Sequence, residues 1–129
     1  MKIISLLISS LLFGGMVLYS FGFAAFLFTA LPSPLAGQTL RRAFPHFYLF
    51  VIITAAIAAA VMWPHDRLGS ILLALIALTT WPTRQMLMPA INAATDTKAK
   101  VRFKILHSLS VLVSLAHICM AGLVIARFI

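Results

Sequence analysis

Residues 3–31 read IISLLISSLLFGGMVLYSFGFAAFLFTAL, and no acidic or basic side chain interrupts them. An α-helix rises about 1.5 Å per residue, so this stretch is long enough to cross the roughly 30 Å hydrocarbon core of a bilayer. It is also far longer than the apolar core of a secretory signal peptide, about 7–15 residues. We therefore expect a retained transmembrane helix that ends at Pro32 and Pro34, because proline lacks the amide hydrogen a helix needs.

Three more apolar runs follow the first one, at residues 44–63, 68–88 and 105–126. Polar connections separate them, and the longest covers residues 90–104. We expect Pro82 to kink or end the third helix and Pro89 to close it. The pattern predicts an all-α fold, a four-helix transmembrane bundle that forms one integral membrane domain over residues 1–129.

The composition supports a chain whose solvent is lipid. Of 129 residues, 63% are hydrophobic and only 9% are Asp, Glu, Lys or Arg, against about 25% charged residues in ordinary soluble domains. A soluble domain of this size could not cover so much apolar surface. The aromatic residues at the start of the second run, Phe44, Phe47, Tyr48 and Phe50, predict a belt at the membrane interface.

Basic residues are distributed unevenly between the predicted connections, and the net charge is +8. The side holding the first and third connections carries Arg41, Arg42, Arg84, Lys98, Lys100, Arg102 and Lys104. The opposite side carries Lys2, Arg67 and Arg127. Because cytoplasmic loops are rich in Lys and Arg, this predicts a multi-pass protein of a bacterial inner (plasma) membrane with both termini outside the cytoplasm. The expected partner of the charge is the lipid bilayer, and no nucleic acid is expected.

The fourth run contains a regularly spaced polar stripe. His107, Ser110, Ser114 and His117 are separated by three, four and three residues, which places them on one helix face within an arc of about 80°. Polar groups that face lipid are costly, so the stripe is expected to point into the bundle. One interpretation is a polar path, a proton relay or a ligand site. The other is hydrogen bonding between helices that only holds the bundle together.

Histidines raise the possibility of a metal or haem, but their spacing argues against a complete site. His107 and His117 lie about 15 Å apart along a helix and cannot bind one ion together. A bis-histidine haem at mid-membrane is excluded within one protomer, because His117 has no second histidine at its depth. His46 and His107 begin the second and fourth helices on the same side, but two ligands alone make a weak site. No metal or cofactor is therefore predicted.

A second candidate cluster lies on the predicted cytoplasmic side, where His46, Arg84 and Arg102 could bind a lipid headgroup or another anionic partner. The simpler interpretation is interfacial anchoring of these long side chains. In the first helix, Gly15, Gly22 and Thr29 recur every seven residues. This repeat predicts a face that packs closely against another helix.

The residues needed for common catalysis are not arranged for it. Asp66 and Asp96 fall on opposite sides of the membrane, so no carboxylates are paired for acid–base work. No nucleophile elbow and no phosphate-binding glycine loop occurs. We predict a non-enzymatic accessory, assembly or structural protein with a membrane-protein partner or a homo-oligomeric state. The alternatives are a small oligomeric transporter or channel that uses the polar stripe, and a haem- or metal-binding membrane protein.

Three motifs carry a family resemblance: LPSPLAG at 31–37 followed by FPHFY at 44–48, MPAIN at 88–92, and RFKILHSLS at 102–110. Together they resemble the transmembrane protein 205-like family, small four-span membrane proteins grouped as a domain of unknown function. The resemblance covers nearly the whole chain and implies that fold, but no biochemical activity. The positions that match the family motifs are Pro32, Gly37, Pro45, Tyr48, Pro89, Leu106, His107 and Ser110. His46 and Phe47 depart from the aromatic pair that often follows the proline, which makes His46 a weaker candidate than His107.

Overall fold

A computed structural model describes all residues of the chain, 1–129, and they form helices with no strand. Each of the four long helices is long and apolar enough to cross a membrane. They are α1 (Lys2–Ala30), α2 (Ser33–Met62), α3 (Arg67–Asp96) and α4 (Lys100–Ala126). The predicted four-helix transmembrane bundle is confirmed, and the chain is a multi-pass membrane protein.

Each helix packs against its neighbours in sequence, and α4 also packs against α1. The helices therefore run up and down around a closed square, with α2 and α4 on one diagonal. We call the side that holds Met1, the α2–α3 turn and Arg127 the terminal end. The side that holds the α1–α2 and α3–α4 connections is the connection end.

Two helices extend further toward the connection end than the sequence predicted. The second helix begins at Ser33 rather than Phe44, and α4 begins at Lys100 rather than Ile105. Pro34 lies in the first turn of α2, where its missing amide hydrogen is not needed. The apolar runs mark only the part of each helix that lies in lipid. The polar residues before them still form backbone hydrogen bonds of the helix, so the helix begins earlier than the apolar run.

The third helix also continues past both of its prolines, to Asp96 rather than Met88. A π-helical turn at Thr83–Leu87 follows Pro82 directly, and such a turn accommodates an interruption of the regular hydrogen-bond ladder. Pro89 lies two residues after this turn, where the π-type hydrogen bonding returns to α-type, and the helix continues past it. A second π-helical turn, Leu18–Phe23, interrupts α1.

The core of the bundle lies mainly between α2 and α3. Leu12, Val51, Leu73 and Ile76 are among its fully covered residues. Ala55, Ala58 and Ala59 form a face of small side chains on α2, which allows the two helices to approach closely. The Ser70 hydroxyl of α3 donates a 2.6 Å hydrogen bond to the Ala59 carbonyl across this interface.

Some aromatic and glycine residues lie elsewhere than expected. Phe47 and Tyr48 are buried and face the core instead of forming an interfacial belt, because α2 extends about four turns beyond them toward the connection end. Of the predicted glycine face of α1, only Gly15 is closely packed, against the Phe50 ring of α2. Gly22 and Thr29 are exposed, since they lie where α1 has few neighbours.

Both acidic residues form two-point ion pairs with arginines, at opposite ends of the bundle. Arg41 of α2 donates to Asp96 of α3 at 2.7 and 2.8 Å. Arg127 donates to Asp66 at 2.6 and 2.9 Å. Asp66 also accepts the Gly69 amide at 3.1 Å, which caps the start of α3. The hydrogen bonds from Arg127 lower the pKa of Asp66 from 3.8 to about 2.

This pair predicts a specific acid sensitivity. Because the folded-state pKa of Asp66 is depressed, its contribution to stability is complete above about pH 4 and is lost as the pH falls toward 2. The Asp66→Asn variant keeps an oxygen for the helix cap but has no carboxylate to titrate. In detergent, the melting temperature of Asp66→Asn should fall less between pH 5 and pH 2 than that of the original chain. An equal fall in the melting temperatures of the two proteins would show that titration of Asp66 does not cause the loss of stability in acid.

Candidate functional site

The structure brings only part of the predicted polar stripe of α4 into the bundle. His117 is buried and Ser114 lines an internal cavity. Ser110 is half-buried, and its hydroxyl donates to the His107 carbonyl of its own helix at 2.7 Å. His107 is exposed and stacks on Phe103 of the same helix at 5.4 Å. The expectation that all four residues point inward is therefore wrong for His107, whose side chain lies on the outer surface of α4.

His117 makes the central polar contact between α3 and α4. Its Nε2 lies 2.7 Å from the Thr79 hydroxyl, and that hydroxyl donates to the Leu75 carbonyl at 2.6 Å. A threonine hydroxyl has a single hydrogen. Donation of that hydrogen to the Leu75 carbonyl and donation from Nε2–H of His117 to Thr79 satisfy both contacts together. The geometry at His117 is that of an interhelical hydrogen bond in a low-dielectric interior.

A small polar cavity lies beside His117, near the middle of the bundle. Ser20 of α1, Thr80 of α3 and Ser114 of α4 contribute hydroxyl side chains to its wall. Its volume is about 10 Å³, which matches the space that one water molecule requires. The Ser20 hydroxyl is buried and has no hydrogen-bond partner within the chain. The site can therefore hold a water that bonds to Ser20, but it is too small for a solute.

The sequence did not identify Ser20 and Thr80 as partners of this stripe. Ser20 is a single polar residue inside an apolar run, and Thr80 is the second of two adjacent threonines inside another. These positions are the only signal that could have indicated them. Ser20 lies in the π-helical turn of α1, beside an aromatic group in which Tyr19 stacks on Phe47 at 4.5 Å. The faces that meet between two helices depend on how each helix is rotated about its axis. The spacing of polar residues along one helix does not determine this rotation.

The terminal end contains a second polar contact that the sequence did not predict. Nε2 of His65 lies 3.2 Å from the fully buried Ser5 hydroxyl, which donates to the Met1 carbonyl at 3.1 Å. The Nε2–H tautomer of His65 satisfies both contacts, because the single hydrogen of the Ser5 hydroxyl goes to Met1. This contact joins α1 to the α2–α3 turn.

The second candidate cluster is only partly connected. Nε of the half-buried Arg84 donates to the Pro45 carbonyl at 3.0 Å, and its Nη1 donates to Gln85 at 2.7 Å. His46 and Arg102 are exposed. No hydrogen bond joins the three residues, so a shared site at His46, Arg84 and Arg102 stays a prediction. No three His, Cys, Asp or Glu residues are grouped as metal ligands, and Cys119 is exposed on α4.

Comparison with known proteins places the chain in a family. A family described as "Domain of unknown function (DUF4149)" matches residues 7–100, which contain most of α1, all of α2 and α3, and the first residue of α4. No curated protein and no solved structure matches the chain. Since the match covers well over half of the residues, this four-helix membrane protein belongs to the DUF4149 family.

Proposed function

We propose that the chain is a non-enzymatic accessory or assembly protein that binds a second membrane-spanning chain through α4. One observation carries the proposal. No residue of α4 between Lys100 and Ala116 is buried, and the whole helix has three buried residues against nine in α2. Of the four helices α4 is the least buried, and none of its buried residues lies in the half toward the connection end.

The polar residues on this uncovered half make a protein neighbour more favourable than lipid alone. His107 and Ser108 are exposed, and Ser110 and Ser114 are half-buried. Polar side chains within the membrane are preferentially covered by protein, where they find hydrogen-bond partners. A second helix laid along this half of α4 would provide that cover.

Two further features support a role without catalysis or independent transport. Both carboxylates are held in ion pairs with arginines at opposite ends of the bundle. The cavity beside His117 holds at most one water and lies among closely packed helices. A single copy thus offers no path for a solute, and transport along the polar stripe would need an assembly of several copies.

The proposal can be tested with a photo-crosslinking amino acid placed at Leu112 of α4. Leu112 is 63% exposed. The matched control is Leu49 of α2, which is 40% exposed and lies at nearly the same depth at the diagonally opposite corner of the bundle. Irradiation in native membranes should give a defined protein adduct from position 112 and only lipid adducts from position 49. Mass spectrometry would identify the adduct.

The outcomes of this experiment separate the candidate functions. Adducts with lipid alone at both positions would overturn the accessory role. An adduct with a second copy of the same chain would favour the homo-oligomeric transporter or channel. An adduct with a different membrane protein would support the accessory or assembly role directly.

We further propose that the connection end faces the cytoplasm and both termini lie outside it, in an inner (plasma) membrane. The seven basic residues on that side, against three at the terminal end, support this orientation. The three sequence motifs support a relationship with the transmembrane protein 205-like family.

A further inference from the structure

A groove separates α3 from α4 on the outer surface of the bundle. It has a volume of about 450 Å³ and is open on the side that faces the bilayer. Its wall on α3 lies between Thr79 and Ala90, and its wall on α4 consists of Leu106, Leu109 and Val113. Pro82 and part of the π-helical turn contribute to it, so the groove coincides with the interruption of regular α-helix in α3.

The groove is apolar in its chemistry despite containing two threonines. The Thr79 hydroxyl donates to the Leu75 carbonyl at 2.6 Å and accepts from His117. The Thr83 hydroxyl donates to the Thr79 carbonyl at 2.9 Å. Both hydroxyls are therefore satisfied within the protein, and an occupant needs no polar group at this depth. A hydrocarbon chain fits this requirement.

The length of the groove corresponds to one leaflet of the membrane. From Thr79 to Ala90 the helix advances about 16 Å, which is roughly half of the 30 Å hydrocarbon core. The groove runs from the middle of the bundle toward the connection end. An acyl chain lying in it would place its headgroup at that end.

The connection end supplies the charge that would select such a headgroup. Arg102 precedes Leu106 by four residues, and Arg102, Leu106, Leu109 and Val113 share one face of α4 because they are spaced by four, three and four. Arg102 is exposed and has no acidic partner, since Asp66 and Asp96 are paired with other arginines. Lys98, Lys100 and Lys104 add positive charge around it.

We propose that this groove binds an acyl chain of an anionic phospholipid whose phosphate contacts Arg102. The apolar wall holds the chain, and the unpaired guanidinium at its mouth discriminates between headgroups. The groove uses the face of α4 that holds Arg102, Leu106, Leu109 and Val113, whereas His107, Ser108 and Leu112 of the proposed partner surface lie on other faces of the helix. The lipid proposal therefore does not depend on the protein partner. It explains why a run of cations that has no acidic residues to neutralise it lies at the mouth of an apolar groove.

Native mass spectrometry in a mild detergent tests the headgroup half of the proposal. The purified protein is incubated with equal amounts of phosphatidylglycerol and phosphatidylcholine that carry identical acyl chains. We expect phosphatidylglycerol to be retained preferentially, and Arg102→Gln to lower that preference about fivefold, as for the loss of one cation near an anionic headgroup. Arg42→Gln is the matched control, because Arg42 is exposed at the same end but on the diagonally opposite helix. An equal loss in both variants would overturn the proposal.

A second substitution tests the acyl-chain half. Leu109→Trp fills the groove and should reduce retention of both lipids. The control Leu49→Trp, at a similarly exposed leucine of α2, should leave retention unchanged. Unchanged retention in Leu109→Trp would overturn the proposal. So would a lipid-free dimer that only Leu109→Trp abolishes, because the groove would then hold a second copy of the chain.

Discussion

Replacing Leu12 with alanine is expected to lower the free energy of unfolding by about 2 kcal/mol, the lower part of the range for buried leucines in water. Leu12 is completely buried in the core of the bundle. In a membrane the unfolded helices remain in lipid, so the transfer of a leucine from water contributes little. The loss of stability comes mainly from the van der Waals contacts of the Leu12 side chain, which alanine cannot make.

Leu11→Ala is the control for this prediction, because Leu11 is the preceding residue of the same helix and is 58% exposed. Both variants lose the same atoms and differ only in the direction of the side chain. Unfolding in mixed micelles, followed by circular dichroism, measures both free energies. If Leu11→Ala proved as destabilising as Leu12→Ala, the rotation of α1 in this structure would be wrong.

The second large effect is expected at Gly15, where α1 passes close to α2. A Cβ atom at this position would lie 2.8 Å from Cε1 of Phe50, so Gly15→Ala forces the ring or the helix to move. Overpacking of this kind costs about 1–3 kcal/mol. Gly14→Ala should cause no loss, because a Cβ atom there meets nothing within 4 Å.

The same unfolding assay can show that the Phe50 ring causes the loss at Gly15. Combining Gly15→Ala with Phe50→Leu should recover stability relative to the sum of the two single changes, since leucine leaves room for the new methyl group. Strict additivity of the two changes would show that the contact does not exist. A destabilised Gly14→Ala would instead indicate a packing face on the other side of α1.

The helices were predictable because their physical cause is local. An uncharged run such as residues 3–31 cannot lie outside a bilayer, and within it the backbone must form a helix to satisfy its own hydrogen bonds. The ends of the helices were less predictable. Pro45, Pro82 and Pro89 all lie within helices. A π-helical turn follows Pro82 and ends two residues before Pro89, and it accommodates both of them, whereas Pro45 lies in the interior of α2.

In the candidate site too, features of a single helix were predictable from the sequence, and contacts between helices were not. Helical spacing placed Ser110, Ser114 and His117 on one face correctly, because spacing is a property of a single helix. The partner Thr79 and the cavity residues Ser20 and Thr80 could not be predicted, because their positions depend on how neighbouring helices are rotated and on depth. His107 shares the face of His117 along the helix, but at its depth that face is exposed, and helical spacing does not predict such a difference.

The two arginine–aspartate pairs make α3 the helix that is attached to other segments at both of its ends. Asp66 fastens its start to the chain terminus through Arg127, and Asp96 fastens its finish to the beginning of α2 through Arg41. Ion pairs at both ends restrict translation of α3 along its axis and rotation about it, but they do not prevent the helix from bending. Any movement of α3 should therefore concentrate where its hydrogen-bond ladder is already irregular, around Pro82 and the adjoining π-helical turn.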